Sequence, residues 1–75
     1  MKRLYTAETK GMRMYFVEDW ETDLAICVDW DLDKDEEKEL ISAFENGTLI
    51  ETANGGAWEP IDAAYADTYN KSIIA

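Results

Sequence analysis

The stretch "LAICVDWDLDKDEEKELISAF", residues 24–44, changes its period halfway along, and that change decides the fold. Leu24, Ile26, Val28 and Trp30 alternate with Ala25, Cys27 and Asp29, which is the two-residue repeat of a strand. The spacing gathers Leu24, Ile26, Val28 and Trp30 on one apolar face and makes Trp30 mostly core. The other face is nearly as apolar. From Asp33 onward the repeat becomes helical. Asp33 followed by Glu36 forms a capping box, in which Asp33 accepts from a free backbone N–H of the first turn and Glu36 reaches back. A helix then runs to about Asn46, burying Leu40, Ile41 and Phe44, with Gly47 in the left-handed closing position. Its first turn, Asp35-Glu36-Glu37, meets the positive end of the helix dipole.

Working outward, Met12 to Val17 alternates again, with Met12, Met14 and Phe16 on one side and Arg13, Tyr15 and Val17 on the other. Lys10-Gly11 offers the positive φ of a tight turn after "KRLYT", and "DWETD" makes the next connection. Three antiparallel strands follow. Beyond the helix, "TLIET" (Thr48–Thr52) reads as a fourth strand or a loop, and "ANGGA" as a turn. Pro60 suits the first position of a second helix, in which Ile61, Ala64, Tyr65, Thr68 and Tyr69 share a face, with Trp58 packed beneath it. The predicted fold is α+β: a small antiparallel sheet of three or four strands packed against two helices, in the order β-β-β-α-(β)-α. Two helices can cover one face of such a sheet. Residues 1–75 form a single small acidic domain.

A chain of 75 residues buries only roughly 60% of the surface its unfolded form exposes, so a partner or a second copy would help it, and a homodimer fits this size. An apolar content of 47%, with three Trp, four Tyr and two Phe, excludes a disordered acidic tail. No apolar run approaches the ~20 residues of a membrane span, and "MKRLYTAETK" lacks the apolar segment of a signal peptide. The expected setting is the cytoplasm, the host's if the chain is phage-encoded. The lone Cys27 cannot form an intrachain disulfide and reads as a small buried hydrophobe. With no histidine, the usual general base and imidazole ligand are missing. No enzyme, cofactor or resident metal is expected.

The charge points to partners instead. The net charge is -10, and Glu18 to Glu39 carries eleven acidic residues against Lys34 and Lys38. Nucleic acid and anionic membranes should repel such a surface, so the partner is expected to be basic. Calcium would explain the alternation of Asp29, Asp31, Asp33 and Asp35, but the EF-hand register fails: from Asp29, position six is Lys34 rather than glycine and position twelve is Leu40 rather than glutamate. Starting from Asp31 or Asp33 puts Ser42 or Phe44 at position twelve. Capping and dipole effects account for Asp33, Asp35, Glu36 and Glu37. They do not account for Glu18, Asp19, Glu21 and Asp23, nor for Asp29 and Asp31. Asp29 and Asp31, two apart on a strand, hold charges ~6.6 Å from each other, comparable with successive phosphates. Trp20 inside "EDWETD" has the composition of an interface anchor.

In size, acidity, α+β pattern and lack of catalytic groups, the chain resembles the small inhibitors that bacteriophages encode against host defence or transcription, including anti-CRISPR and anti-restriction proteins. The resemblance is one of overall character and rests on no motif. It implies a non-enzymatic acidic protein that occupies a basic, nucleic-acid-binding surface of a host protein or complex, partly as a DNA or RNA mimic. Glu18, Asp19, Glu21, Asp23, Asp29, Asp31, Asp35, Glu36 and Glu39 would steer the encounter, and Trp20 would anchor it. The alternative is a small structural or regulatory subunit docking through an apolar patch, at a sheet edge or on the side bearing Tyr15 and Val17. A divalent-metal-binding module is the third reading.

Overall fold

The structure, a computed structural model, describes residues 1–52 and 56–75. Its elements in chain order are β1 (Lys2–Thr9), β2 (Met12–Asp19), β3 (Leu24–Trp30), α1 (Lys34–Glu45), β4 (Glu59–Pro60), α2 (Ile61–Ala64) and β5 (Tyr69–Ile73). The strands form one antiparallel sheet ordered β4-β3-β2-β1-β5. The α+β fold read from the sequence, with its three leading strands and two helices, is the observed one. Lys10 (φ 50) and Gly11 (φ 80) both adopt the left-handed conformation that a two-residue hairpin between right-twisted strands requires. The capping box is present: Asp33 Oδ1 accepts from Glu36 N at 2.8 Å, and Glu36 Oε1 accepts from Asp33 N at 3.1 Å. Gly47 (φ 72) closes α1, its N–H donating to Phe44 O at 3.2 Å.

The C-terminal third differs from the expectation. The fourth strand is Glu59–Pro60, and 48–52 form no strand, because the N–H groups of Thr48 and Leu49 both turn back to Ala43 O. The turn expected at "ANGGA" falls partly on residues 53–55, outside those described. The second helix stops after Ala64 rather than continuing to Tyr69, and a fifth strand follows it. A helix of this length is marginal in water, whereas β1 offers a full edge of hydrogen bonds to Tyr69–Ile73.

The two helices cover opposite faces of the sheet. Leu40, Ile41 and Phe44 of α1 pack over Leu4, Tyr15, Val17, Ile26 and Val28, joined by Trp58. On the other face Ile61, Ala64 and Tyr65 lie over Tyr5, Ala7, Phe16 and Ala25. Trp58 therefore belongs to the α1 side and not beneath the second helix. Tyr15 and Val17 are wholly buried, so the side bearing them is no docking face.

A bulge in β3 redirects Trp30. Tyr15 pairs with Asp29 and Phe16 with Cys27, leaving Val28 as the extra residue. Beyond it the alternation inverts, and Trp30 pairs with Met14 on the α2 side instead of joining Ile26 and Val28. There it is 45% exposed, not mostly core.

Tyr15 ties β2 to α1, its hydroxyl donating to Glu37 Oε2 at 2.6 Å beside Arg13 Nη1 at 3.3 Å from the same oxygen. Burial first, then the hydrogen bond to Glu37, raises the Tyr15 hydroxyl from the usual 10 to about 12. A raised phenol binds its proton more tightly in the folded state, so the contribution is complete below pH 10 and is lost as pH climbs towards 12. Alkaline melting curves of Tyr15→Phe are therefore expected to fall less steeply than wild type over that interval. Parallel curves would show that Tyr15 titrates as it does in the unfolded chain.

Candidate acidic-aromatic interface

The acidic run from Glu18 to Glu39 does not form one surface, because β3 passes through its middle. Seven residues of strand place the β2–β3 turn and the start of α1 roughly 20 Å apart, at opposite ends of a rigid sheet. Each end exposes a tryptophan among carboxylates.

At the first end, Trp20 is half exposed. Asp19 Oδ1 accepts from Glu21 N at 3.0 Å, and the N-terminal ammonium sits 3.2 Å from Glu21 Oε1. Asp23 takes φ 56, a conformation that aspartate tolerates better than most residues, and its carbonyl accepts from Ile61 N at 3.2 Å. That bond fastens the turn to α2. On one side of the turn lies a cleft of about 420 Å³, lined by Trp20, Asp23, Pro60, Ile61, Asp62 and Lys71. On the other side is a hollow of about 280 Å³, lined by Asp19, Thr22, Leu24 and Trp58.

Glu18 does not belong to this surface. It is 0% exposed, and its Oε1 lies 3.0 Å from Lys71 Nζ. β2 runs on through Asp19, so Glu18 shares the sheet face of Met14 and Phe16 rather than the turn. Lys71 also stands over the rings of Tyr5 (4.7 Å) and Tyr65 (4.1 Å). Among the described residues neither Glu18 Oε2 nor the Tyr65 hydroxyl reaches a hydrogen bond of ordinary geometry, although the two lie close enough for the carboxylate to act on the phenol. Burial first, then the Glu18 charge, drives the Tyr65 hydroxyl pKa far upward, so this phenol stays protonated.

At the second end, much of the charge is committed to local structure. Asp29 Oδ1 accepts from Trp30 N at 2.9 Å, and Asp31 Oδ1 accepts from Arg13 N at 3.1 Å. Glu36 serves the capping box. Asp35 and Glu39 are exposed on α1, and no hydrogen bond or ion pair engages either among the described residues. They stand one helical turn apart and are the carboxylates at this end left free for a partner.

The structure thus brings Asp19, Trp20, Glu21 and Asp23 together at one end and Asp29, Asp31, Asp35, Glu36 and Glu39 at the other. It adds Trp30 and Asp62, which the sequence reading did not include. No sequence signal marks the bulge that exposes Trp30. Among the described residues no group of three or more carboxylate or thiol side chains is placed to hold a metal ion, and no helix is long and apolar enough to cross a membrane. Burial raises the Cys27 thiol, which keeps it in the unreactive protonated form. No protein-family model matches the chain, and comparison with curated proteins and with solved structures returns no match.

Proposed function

We propose that this protein is a non-enzymatic binding protein that occupies a basic, nucleic-acid-binding surface of a protein partner, in the manner of a phage-type inhibitor. The observation that carries the reading is the repetition at both ends of β3 of one exposed tryptophan, 50% for Trp20 and 45% for Trp30, beside carboxylates. A separation of roughly 20 Å is comparable with half the ~34 Å helical repeat of duplex DNA. Two clusters of negative charge held that far apart on a rigid sheet suit a basic groove shaped for phosphates. Partly exposed aromatics supply what phosphates lack, an apolar surface to desolvate.

The division of labour is testable by surface kinetics on a captured partner. The protein is retained with proteins from a nuclease-treated bacterial lysate at low salt, then challenged with high salt and with duplex DNA. Release by both identifies a partner that binds through its nucleic-acid surface. On that partner, Trp20→Ala is expected to raise the off-rate, whereas Asp35→Asn with Glu39→Gln lowers the on-rate and flattens its salt dependence. The second variant relieves a like-charge pair one turn apart but gives up the first-turn charge of Asp35 that the helix dipole favours. The two small effects oppose each other, so a melting temperature close to wild type is expected, and measuring it separates lost binding from unfolding. A complex indifferent to salt and DNA would overturn the reading in favour of an apolar subunit contact.

A further inference from the structure

We propose that the cleft beside Trp20 is an arginine pocket, which receives a guanidinium from the basic partner between Asp23 and Asp62 and against the Trp20 ring. The inference rests on the reading of the protein as a binder of basic surfaces and specifies which side chain that surface must offer.

The cleft, about 420 Å³, has an apolar wall of Trp20, Pro60 and Ile61 and two acidic side chains, Asp23 and Asp62. Neither carboxylate forms an ion pair among the described residues. Lys71 is the cation in the lining, but its charge is already answered by Glu18 at 3.0 Å and by the faces of Tyr5 and Tyr65. The cleft is left with two carboxylates that lack a counter-charge. A cation with a planar face and several N–H donors meets both the apolar wall and the two carboxylates.

Guanidinium fits them better than ammonium. It is planar, so it stacks on an indole face, and its five N–H groups form a fork that engages carboxylates on two sides. An ammonium is a more strongly hydrated point charge and makes no such stack. The site is also preorganised, because the Asp23 carbonyl bond to Ile61 N holds the turn and α2 in fixed relation.

The test is a titration of the isotope-labelled protein with an acetylated, amidated tetra-arginine peptide at low salt, with tetra-lysine and tetra-citrulline peptides as controls. Saturable shifts are expected at the Trp20 indole N–H and at the amides of Asp23, Ile61 and Asp62. Tetra-lysine should bind about fivefold more weakly, and tetra-citrulline should not bind. Asp23→Asn with Asp62→Asn should weaken tetra-arginine about tenfold. Asparagine tolerates the left-handed conformation of residue 23, so the variant keeps its turn. Shifts confined to Asp31, Asp35 and Glu39, or unchanged affinity in the double variant, would overturn the pocket while leaving the basic-partner reading intact. No shift at either end would overturn both.

Discussion

Replacing Gly56 with alanine is expected to destabilise the fold by about 3 kcal/mol, an overpacking cost at the top of its usual range. A Cβ at this position would overlap the carbonyl oxygen of Cys27, and it would lie 2.9 Å from Ile26 Cγ1 and 3.0 Å from the Cys27 carbonyl carbon. Two of these three atoms are β3 backbone, which its pairing with β2 holds in place, so the segment carrying residue 56 must withdraw. For a domain of this length the loss corresponds to a melting temperature lower by about 12–24 °C. Thermal unfolding followed by circular dichroism checks it, and a variant melting within two or three degrees of wild type, about 0.5 kcal/mol, would contradict the close approach.

Lys71→Met is expected to cost about 3 kcal/mol, because it strands the Glu18 carboxylate in the interior without its counter-charge. Lys71 itself is only partly buried, with its side chain 35% exposed, which puts the cost at the low end for a broken buried pair. The companion variant Glu18→Leu with Lys71→Met should recover most of the loss, since an apolar pair of similar volume needs no hydrogen bonds. Urea unfolding separates the cases. If the single and double variants are equally unstable, packing of the Lys71 stem against Tyr5 and Tyr65 is the cause, and the charge pair is not.

The residues that could be placed from sequence were those whose local chemistry agrees with their tertiary setting. Alternation in "MRMYFV" and "LAICV" is both a strand signal and a statement of two buried faces. The Asp33–Glu36 capping box works from backbone groups within a single turn. Ile61, Ala64, Tyr65, Thr68 and Tyr69 misled, because a helical spacing there competes with Asp67, Thr68 and Asn70, whose short polar side chains favour turns. Asn70 takes φ 54 and the chain leaves as a strand. What won was the unpaired edge of β1, which lies more than sixty residues away in sequence.

The candidate site was legible only as a list of charges. Trp20, Asp19, Glu21 and Asp23 stand together because they are consecutive, so reading them as a unit required no fold. Glu18 reads in sequence as one more charge beside that turn, yet its two-residue spacing from Met14 and Phe16 puts it on the buried face once the strand runs to Asp19. Asp62 reaches the cleft only through the contact between α2 and the β2–β3 turn. Trp30 reaches the surface only through the bulge at Val28.

The place of β5 at the outer side of β1 sets an order of events during synthesis. Strands β1 to β3 and α1 leave the ribosome before β5 does, and a nascent chain grows at about 5–20 residues per second. For the seconds before Tyr69–Ile73 emerges, β1 presents an open row of backbone donors and acceptors, and Glu18 awaits the ammonium that will neutralise it. The same late segment supplies both the missing strand and the missing charge. Arrival of that segment therefore covers the β1 edge and neutralises Glu18 together, leaving β5 as the outer strand.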